Sequence, residues 1–250
     1  IPKLKQTFKT PIIVHKVVRT IGLGESFLAE RISDWEKSLP FHIKLAYLPG
    51  LGEVRLRLTG IGDSLESLRN ETDLLTSKLE QLVGDYIYGY GEEPLEVVIA
   101  KTLVENNLSI SVAESCTGGY LSHLITRVPG SSAFFEGSII PYSYEIKMDQ
   151  LGVNPETLAK FGAVSEETIR EMAEKVREKF KTDIGVATSG IAGPGGATPD
   201  KPVGMVWIAY SDKHHTVSKK LLLSKDRIIN IQMASLAVLN LVRLNQLKPD

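Results

Sequence analysis

From Pro94 onward the chain alternates short apolar segments with stretches of helical periodicity, and this alternation limits the available folds more than any other feature. The apolar segments are Ser109 to Ala113, Gly137 to Tyr142 and Asp183 to Thr188. Strands separated by helices call for parallel pairing with the helices on the sheet faces. Pro94 can open a helix in which Leu95, Val98, Ile99, Thr102 and Leu103 share one face. The most regular helix covers 166–180, with Ile169, Met172, Ala173, Val176 and Phe180 on one side and Ser165 as its cap. Val203 to Tyr210 and His215 to Leu223, joined by Ser211-Asp212-Lys213-His214, read as a hairpin. A last apolar-striped helix runs from Asp226 to Val242, and the tail Lys248-Pro249-Asp250 is expected to fray. The fold class expected for 93–250 is therefore α/β, with three layers and a mixed, largely parallel sheet.

Before residue 92 the pattern is different. Val14 to Thr20 reads as a strand, followed by a helix over 27–37 capped by Ser26, with Leu28, Ile32 and Trp35 at helical spacing. Ile43 to Tyr47 and Glu53 to Leu58 are further strands; in the second, Val54, Leu56 and Leu58 alternate with Glu53, Arg55 and Arg57, the mark of a half-buried strand. Ser64 to Val83 carries leucines at helical spacing with an expected break near Asn70. Residues 1–92 thus form a small α+β domain.

Charge and composition remove several function classes. The 29 basic and 30 acidic residues leave a formal net charge of -1, which gives no global attraction to nucleic acid or anionic membrane. Apolar runs such as Val97 to Ala100 and Ser235 to Leu239 are far shorter than the roughly 20 residues that span a bilayer. The single cysteine, Cys116, rules out an intrachain disulfide framework and points to a reducing, cytoplasmic compartment. The five histidines lack metal-ligand spacing, so no metal is expected. A start at Ile1 without methionine or signal peptide suggests a fragment, a processed chain or undetermined leading residues, which leaves room for a further amino-terminal domain.

Ligands of open α/β folds sit beyond the carboxyl ends of parallel strands, and three loops occupy such positions. Ala113-Glu114-Ser115-Cys116-Thr117-Gly118-Gly119 lies between a strand and a helix, where glycines permit a tight turn and the helix start favours an anion. Ordinary turn chemistry also accounts for it, and Cys116 reads as a small packed residue. Pro129-Gly130-Ser131-Ser132-Ala133 is followed by Tyr142-Ser143-Tyr144-Glu145-Ile146-Lys147. By spacing alone Ser132 reads as a helix cap and Lys147 as solvated. Alternatively, a desolvated lysine can take a serine proton as imidazole does elsewhere, with a tyrosine hydroxyl relaying it. Thr188 to Pro202 holds four glycines whose amides could line an oxyanion hole or meet phosphate and sugar.

Taken in order, these elements resemble the carboxy-terminal domain of the CinA family over about 94–243. The matching residues are Ala113 to Gly119, Gly130 to Gly137, Tyr142-Ser143 with Lys147, Gly162 to Ser165, Ser189 to Gly196, and Lys201 to Gly204 leading to Val206-Trp207. The resemblance implies hydrolysis of the carboxamide of nicotinamide mononucleotide to nicotinic acid mononucleotide and ammonia, without metal or organic cofactor. It places the catalytic site on Ser132 as nucleophile, Lys147 as general base and later proton donor, and Tyr142 as proton relay. Ser115, Thr117, Gly118, Gly119, Ser189, Gly190, Gly193, Gly195, Gly196 and Arg227 are the expected substrate contacts, with Thr117, Gly118 and Gly119 at the phosphate. Residues 1 to about 92 resemble the family's KH-like middle domain, most clearly at Arg19 to Ser26. A linking or dimer-forming role is expected of it, with nucleic acid unlikely as a partner, and the chain is expected to form a homodimer. Where many relatives carry a second arginine in the last helix, this chain has Ile228 to Gln232 after Asp226-Arg227. Competing readings are a nucleotide-binding assembly protein without turnover and a competence or recombination accessory protein.

Overall fold

The computed structural model describes residues 11–246. The expected frayed tail at Lys248-Pro249-Asp250 lies outside them. The chain divides into two compact units, the first ending at Pro94 and the second beginning at Leu95.

The first unit holds strands β1 (Ile12–Ile21), β2 (Ile43–Pro49), β3 (Glu53–Gly62) and β4 (Ile87–Tyr90) with helices α1 (Glu25–Lys37) and α2 (Leu65–Val83). The strands form an antiparallel sheet in the order β2-β3-β1-β4. The alternation seen in the sequence sets its faces: Val54, Leu56 and Leu58 are buried with Leu28, Ile32, Trp35, Leu75 and Leu79 from the helices. Two expectations are corrected here. Helix α1 starts at Glu25 with Gly24 in the cap position and no side-chain cap bond, so Ser26 lies inside the helix. Helix α2 runs unbroken through Asn70, which is exposed and interrupts no packing; Ser64 caps it by accepting from the Ser67 amide.

The second unit contains α3 (Leu95–Glu105), β5 (Ile110–Glu114), α4 (Tyr120–Thr126), β6 (Phe135–Ile139) and α5 (Tyr144–Ile146), the last continuing into a π-helical turn, Lys147–Leu151. Then come α6 (Pro155–Phe161), α7 (Glu166–Phe180), β7 (Ile184–Gly190), β8 (Met205–Ser211), β9 (Thr216–Leu222) and α8 (Arg227–Gln246). The sheet order is β6-β5-β7-β8-β9. Pairs β5/β6 and β5/β7 are parallel and pairs β7/β8 and β8/β9 antiparallel, so only β8 opposes the common direction.

Helices α3 and α4 pack with α8 on one face, while α7 lies on β5, β7 and β8 from the other, giving three layers. Ser165 caps α7 through the Thr168 amide, and its buried stripe Ile169, Met172, Ala173 and Val176 fits the sequence reading. The close approach of α7 to β7 depends on Gly185, where a Cβ would stand 2.2 Å from the Ala173 carbonyl oxygen. Helix α8 is long and apolar enough to cross a membrane by length and composition, but it buries Ala234, Val238, Leu239 and Val242 in the domain. The strand expected to reach Tyr142 ends at Ile139, and this places Tyr142 and Ser143 in the connection to α5.

Candidate active site

Three parallel strands deliver their carboxyl ends to one sheet edge. There the Ser115 amide donates to the Thr188 carbonyl at 2.9 Å and ties the loop after β5 to the end of β7. The chain leaving β6 crosses the same region and turns into α5, where Ser143 caps the helix through the Ile146 amide. That cap starts the short helix whose π-helical continuation carries Lys147 inward.

Lys147 is only 1% exposed. Its Nζ donates to the Pro141 carbonyl oxygen at 2.6 Å, to Ser115 Oγ at 3.1 Å and, at a longer 3.4 Å, to the Tyr142 carbonyl oxygen. Loss of solvent pushes the amine down from 10.5 to about 8, a drop opposed only by the nearby Cys116 thiol. A lysine held by carbonyls and a hydroxyl, with no carboxylate among these contacts, is poised to be neutral near working pH.

The serine brought to Lys147 is therefore Ser115, 32 residues earlier and itself buried. Ser132, expected as the nucleophile, is not the serine at the amine, because its turn precedes β6 at the amino ends of the parallel strands. Ser132 is exposed in the 3-10 turn Ser131–Ala133, entered through Gly130 at φ 82°, and makes no hydrogen bond to the amine. Tyr142 meets Lys147 through its carbonyl, while its hydroxyl accepts from Arg227 Nη2 at 3.2 Å. Arg227 Nη1 donates to the Gly193 carbonyl at 2.8 Å. Arg227 thus joins the β6–α5 connection to the glycine loop.

The expected phosphate site at Thr117, Gly118 and Gly119 is not available in the form the sequence suggested. Glu114, wholly buried, turns its carboxylate onto the start of α4 and accepts from the amides of Gly119, Leu121 and Ser122 at 3.0, 3.1 and 2.8 Å and from Ser122 Oγ at 2.6 Å. The protein's own anion fills the place where a phosphate would benefit from the helix start. Thr117 is buried too, its hydroxyl 2.7 Å from that of Thr188. Cys116 is packed inside, its thiol pushed up to about 12 by burial, which suits the reading of it as a filler.

The third loop divides into a structural and an open part. Ser189 donates to the Ala163 carbonyl at 2.6 Å, and Gly190 permits contact with β8, since a Cβ there would be 2.6 Å from the Met205 oxygen. Ser189 and Gly190 therefore spend their chemistry on the fold, not on an open surface. Gly193 has φ 93° and would collide with Val203 if substituted, whereas Gly195 and Gly196 are exposed. At the far end Lys201 donates to the Phe161 carbonyl at 2.9 Å.

Asn230, missed in the sequence, fixes this loop. Fully buried on α8, it donates to the Ala192 and Ser224 carbonyls at 2.9 and 3.0 Å and accepts from the Ser224 amide and hydroxyl at 2.9 and 3.1 Å. Its only signal was an amide side chain four residues after Asp226 in an otherwise apolar stretch. Among the described residues no group of three or more His, Cys, Asp and Glu could hold a metal ion.

A three-layer α/β domain with a desolvated lysine against a serine, ringed by glycine-rich loops, is the class these features define. Residues 92–245 match the family described as CinA C-terminal domain, and residues 15–89 match the Damage-inducible protein CinA KH domain. The chain belongs to the CinA family. A CinA-like protein of Cytophaga hutchinsonii is 52% identical over 98% of this chain and 59% of that protein, and one of Amoebophilus asiaticus is 44% identical over 97% and 58%. The chain thus spans less than two thirds of the length of these relatives. Among solved structures, a CinA superfamily protein from Klebsiella pneumoniae is 29% identical with a TM-score of 0.59, covering 61% of this chain and 95% of that one. The competence/damage inducible protein CihA from Agrobacterium tumefaciens is 34% identical with a TM-score of 0.56, covering 62% and 99%.

Proposed function

We propose that the second unit is an amidohydrolase that converts nicotinamide mononucleotide and water to nicotinic acid mononucleotide and ammonia. The observation that carries this reading is Lys147, buried and short of solvent at the carboxyl edge of the sheet, with an amine pushed down to about 8. A neutral amine there accepts a proton from an attacking hydroxyl and returns it to the departing ammonia. Ser115 is the nucleophile in this reading: its Oγ stands 3.1 Å from Lys147 Nζ, whereas Ser132 precedes β6 and so stands at the opposite, amino ends of the parallel strands. Tyr142 and Arg227 line the approach, their side chains joined by a hydrogen bond. Since Glu114 fills the α4 start, the substrate phosphate falls to the exposed Arg227 and the open amides of Gly195 and Gly196. The glycine loop supplies donors to the tetrahedral intermediate. The chain acts as a cytoplasmic homodimer with neither metal nor organic cofactor.

The test is ammonia release from nicotinamide mononucleotide by the whole chain, in the presence of chelator, alongside Ser115→Ala and Lys147→Met. Both variants are expected to remain folded and lose turnover by at least about 100-fold, the lower range for a positioned acid–base group. Full turnover by either folded variant would refute the assigned roles.

A further inference from the structure

Tyr142 is 60% exposed, yet its side chain is held at both ends. The main chain turns sharply at Pro141, with the Tyr142 amide donating to the Ile140 carbonyl at 2.9 Å and the Pro141 carbonyl accepting from Lys147 Nζ. At the far end the Tyr142 hydroxyl accepts from Arg227, which also grips the Gly193 carbonyl. Strand β5 lies between β6 and β7 in the sheet. A chain of bonds from the exit of β6 to the loop after β7 therefore passes across the end of β5, where Ser115 lies. On the other side of Pro141, Ile140 is 45% exposed and stands against the β5–α4 loop, since a Cβ on Gly119 would come 3.3 Å from its Cδ1. Two exposed apolar side chains thus flank the carbonyl that holds the amine.

We infer that the Tyr142 ring is a specificity-determining platform on which the site stacks a flat cationic ring, a pyridinium, in preference to a neutral one. The face of a tyrosine ring carries the negative part of its quadrupole and attracts a cation laid over it. A ring tied through both its main chain and its hydroxyl has little freedom left to lose when a ligand stacks on it. Arg227 engages the hydroxyl at the ring's edge and leaves the face open. The nicotinamide of a mononucleotide is joined to ribose through its ring nitrogen and carries a permanent positive charge. Free nicotinamide has the same shape and the same carboxamide but is neutral. With the carboxamide at Ser115 and the phosphate at Arg227, the pyridinium falls on the ring between them, and Ile140 supplies apolar contact at its rim. The choice of a pyridinium carboxamide as substrate rests on the amidohydrolase reading, whereas the preference for a flat cation does not.

The test compares binding of N-methylnicotinamide, the cation methylated at the ring nitrogen, with binding of nicotinamide by the full chain, followed by NMR of the ligands. Neither probe carries a phosphate, so the ring alone is read. Wild type is expected to bind the cation about 5-fold or more tightly than the neutral ring. Tyr142→Phe, which keeps the ring, should retain the preference. Tyr142→Leu, which removes the ring and leaves every charge in place, should bind the two alike. Equal or absent binding of the two probes by wild type, or an undiminished preference in folded Tyr142→Leu, would overturn the platform. Ammonia release from nicotinamide mononucleotide, measured on the same proteins, separates this from the amidohydrolase reading. A preference lost in Tyr142→Leu but without release from wild type would sustain the platform and refute the hydrolase. Release with no preference for the cation would do the reverse.

Discussion

Replacing Glu114 by alanine tests the claim that the α4 start is filled from within. The carboxylate accepts four hydrogen bonds, three from main-chain amides and one from Ser122 Oγ, all at 2.6 to 3.1 Å, and the residue is wholly buried. Each hydrogen bond to a charged group contributes about 1.5–3 kcal/mol, but the four share one carboxylate and do not add. Leaving a buried donor without its acceptor costs about 1–3 kcal/mol per group, and with three amides stripped together a loss of about 3 kcal/mol or more is expected for Glu114→Ala. Urea unfolding followed by Trp207 fluorescence reads the second unit, with Trp35→Phe silencing the tryptophan of the first. Hydrogen exchange adds the local test, since the amides of Gly119, Leu121 and Ser122 should lose protection together. A stability within about 0.5 kcal/mol of the parent, the range of an ordinary surface change, would refute the reasoning. Restored stability on adding millimolar phosphate to the variant would show the vacated cradle to be anion-selective.

Three further outcomes are expected. Burial depresses the Lys147 amine to about 8, so the unfolded chain binds its proton more tightly and wild-type stability should rise by about 3 kcal/mol between pH 8 and 10.5, a rise that Lys147→Met lacks in urea titrations. Equal pH slopes in the two proteins would contradict this. Cys116, buried with its thiol near 12, should resist iodoacetamide at pH 8 in the native state and react on unfolding, as followed by mass spectrometry. Gly185→Ala should destabilise the second unit by about 3 kcal/mol or more, since its Cβ would meet the Ala173 carbonyl at 2.2 Å; a thermal midpoint unchanged from wild type would show that α7 can shift without loss.

Features written locally in the chain were the legible ones. Helix α7 could be bounded because its apolar stripe and Ser165 cap lie within one short stretch, and the β8–β9 hairpin because its turn is flanked by two apolar runs. Asn70 misled because a polar residue on the solvent side of a helix looks like a break when the face it occupies is unknown. The candidate site depends on contacts across the sheet edge, and there the sequence was less informative. Lysine 147 was identifiable as a candidate base, but its bond to Ser115 spans 32 residues and is set by where β5 ends relative to the β6–α5 connection. Glu114 sat in plain view before the glycine pair. A carboxylate at the last position of an apolar strand, followed within eight residues by a helix start, was the available signal that the anion site was already taken.

The most direct test of the account is the pH dependence of ammonia release from nicotinamide mononucleotide by the whole chain under chelation. A general base that works as a neutral amine should give a rate that climbs with pH and reaches half its limit near 8, with Lys147→Met flat and at least about 100-fold lower. A rate independent of pH between 6 and 10, or no ammonia from folded wild-type protein anywhere in that range, would contradict it.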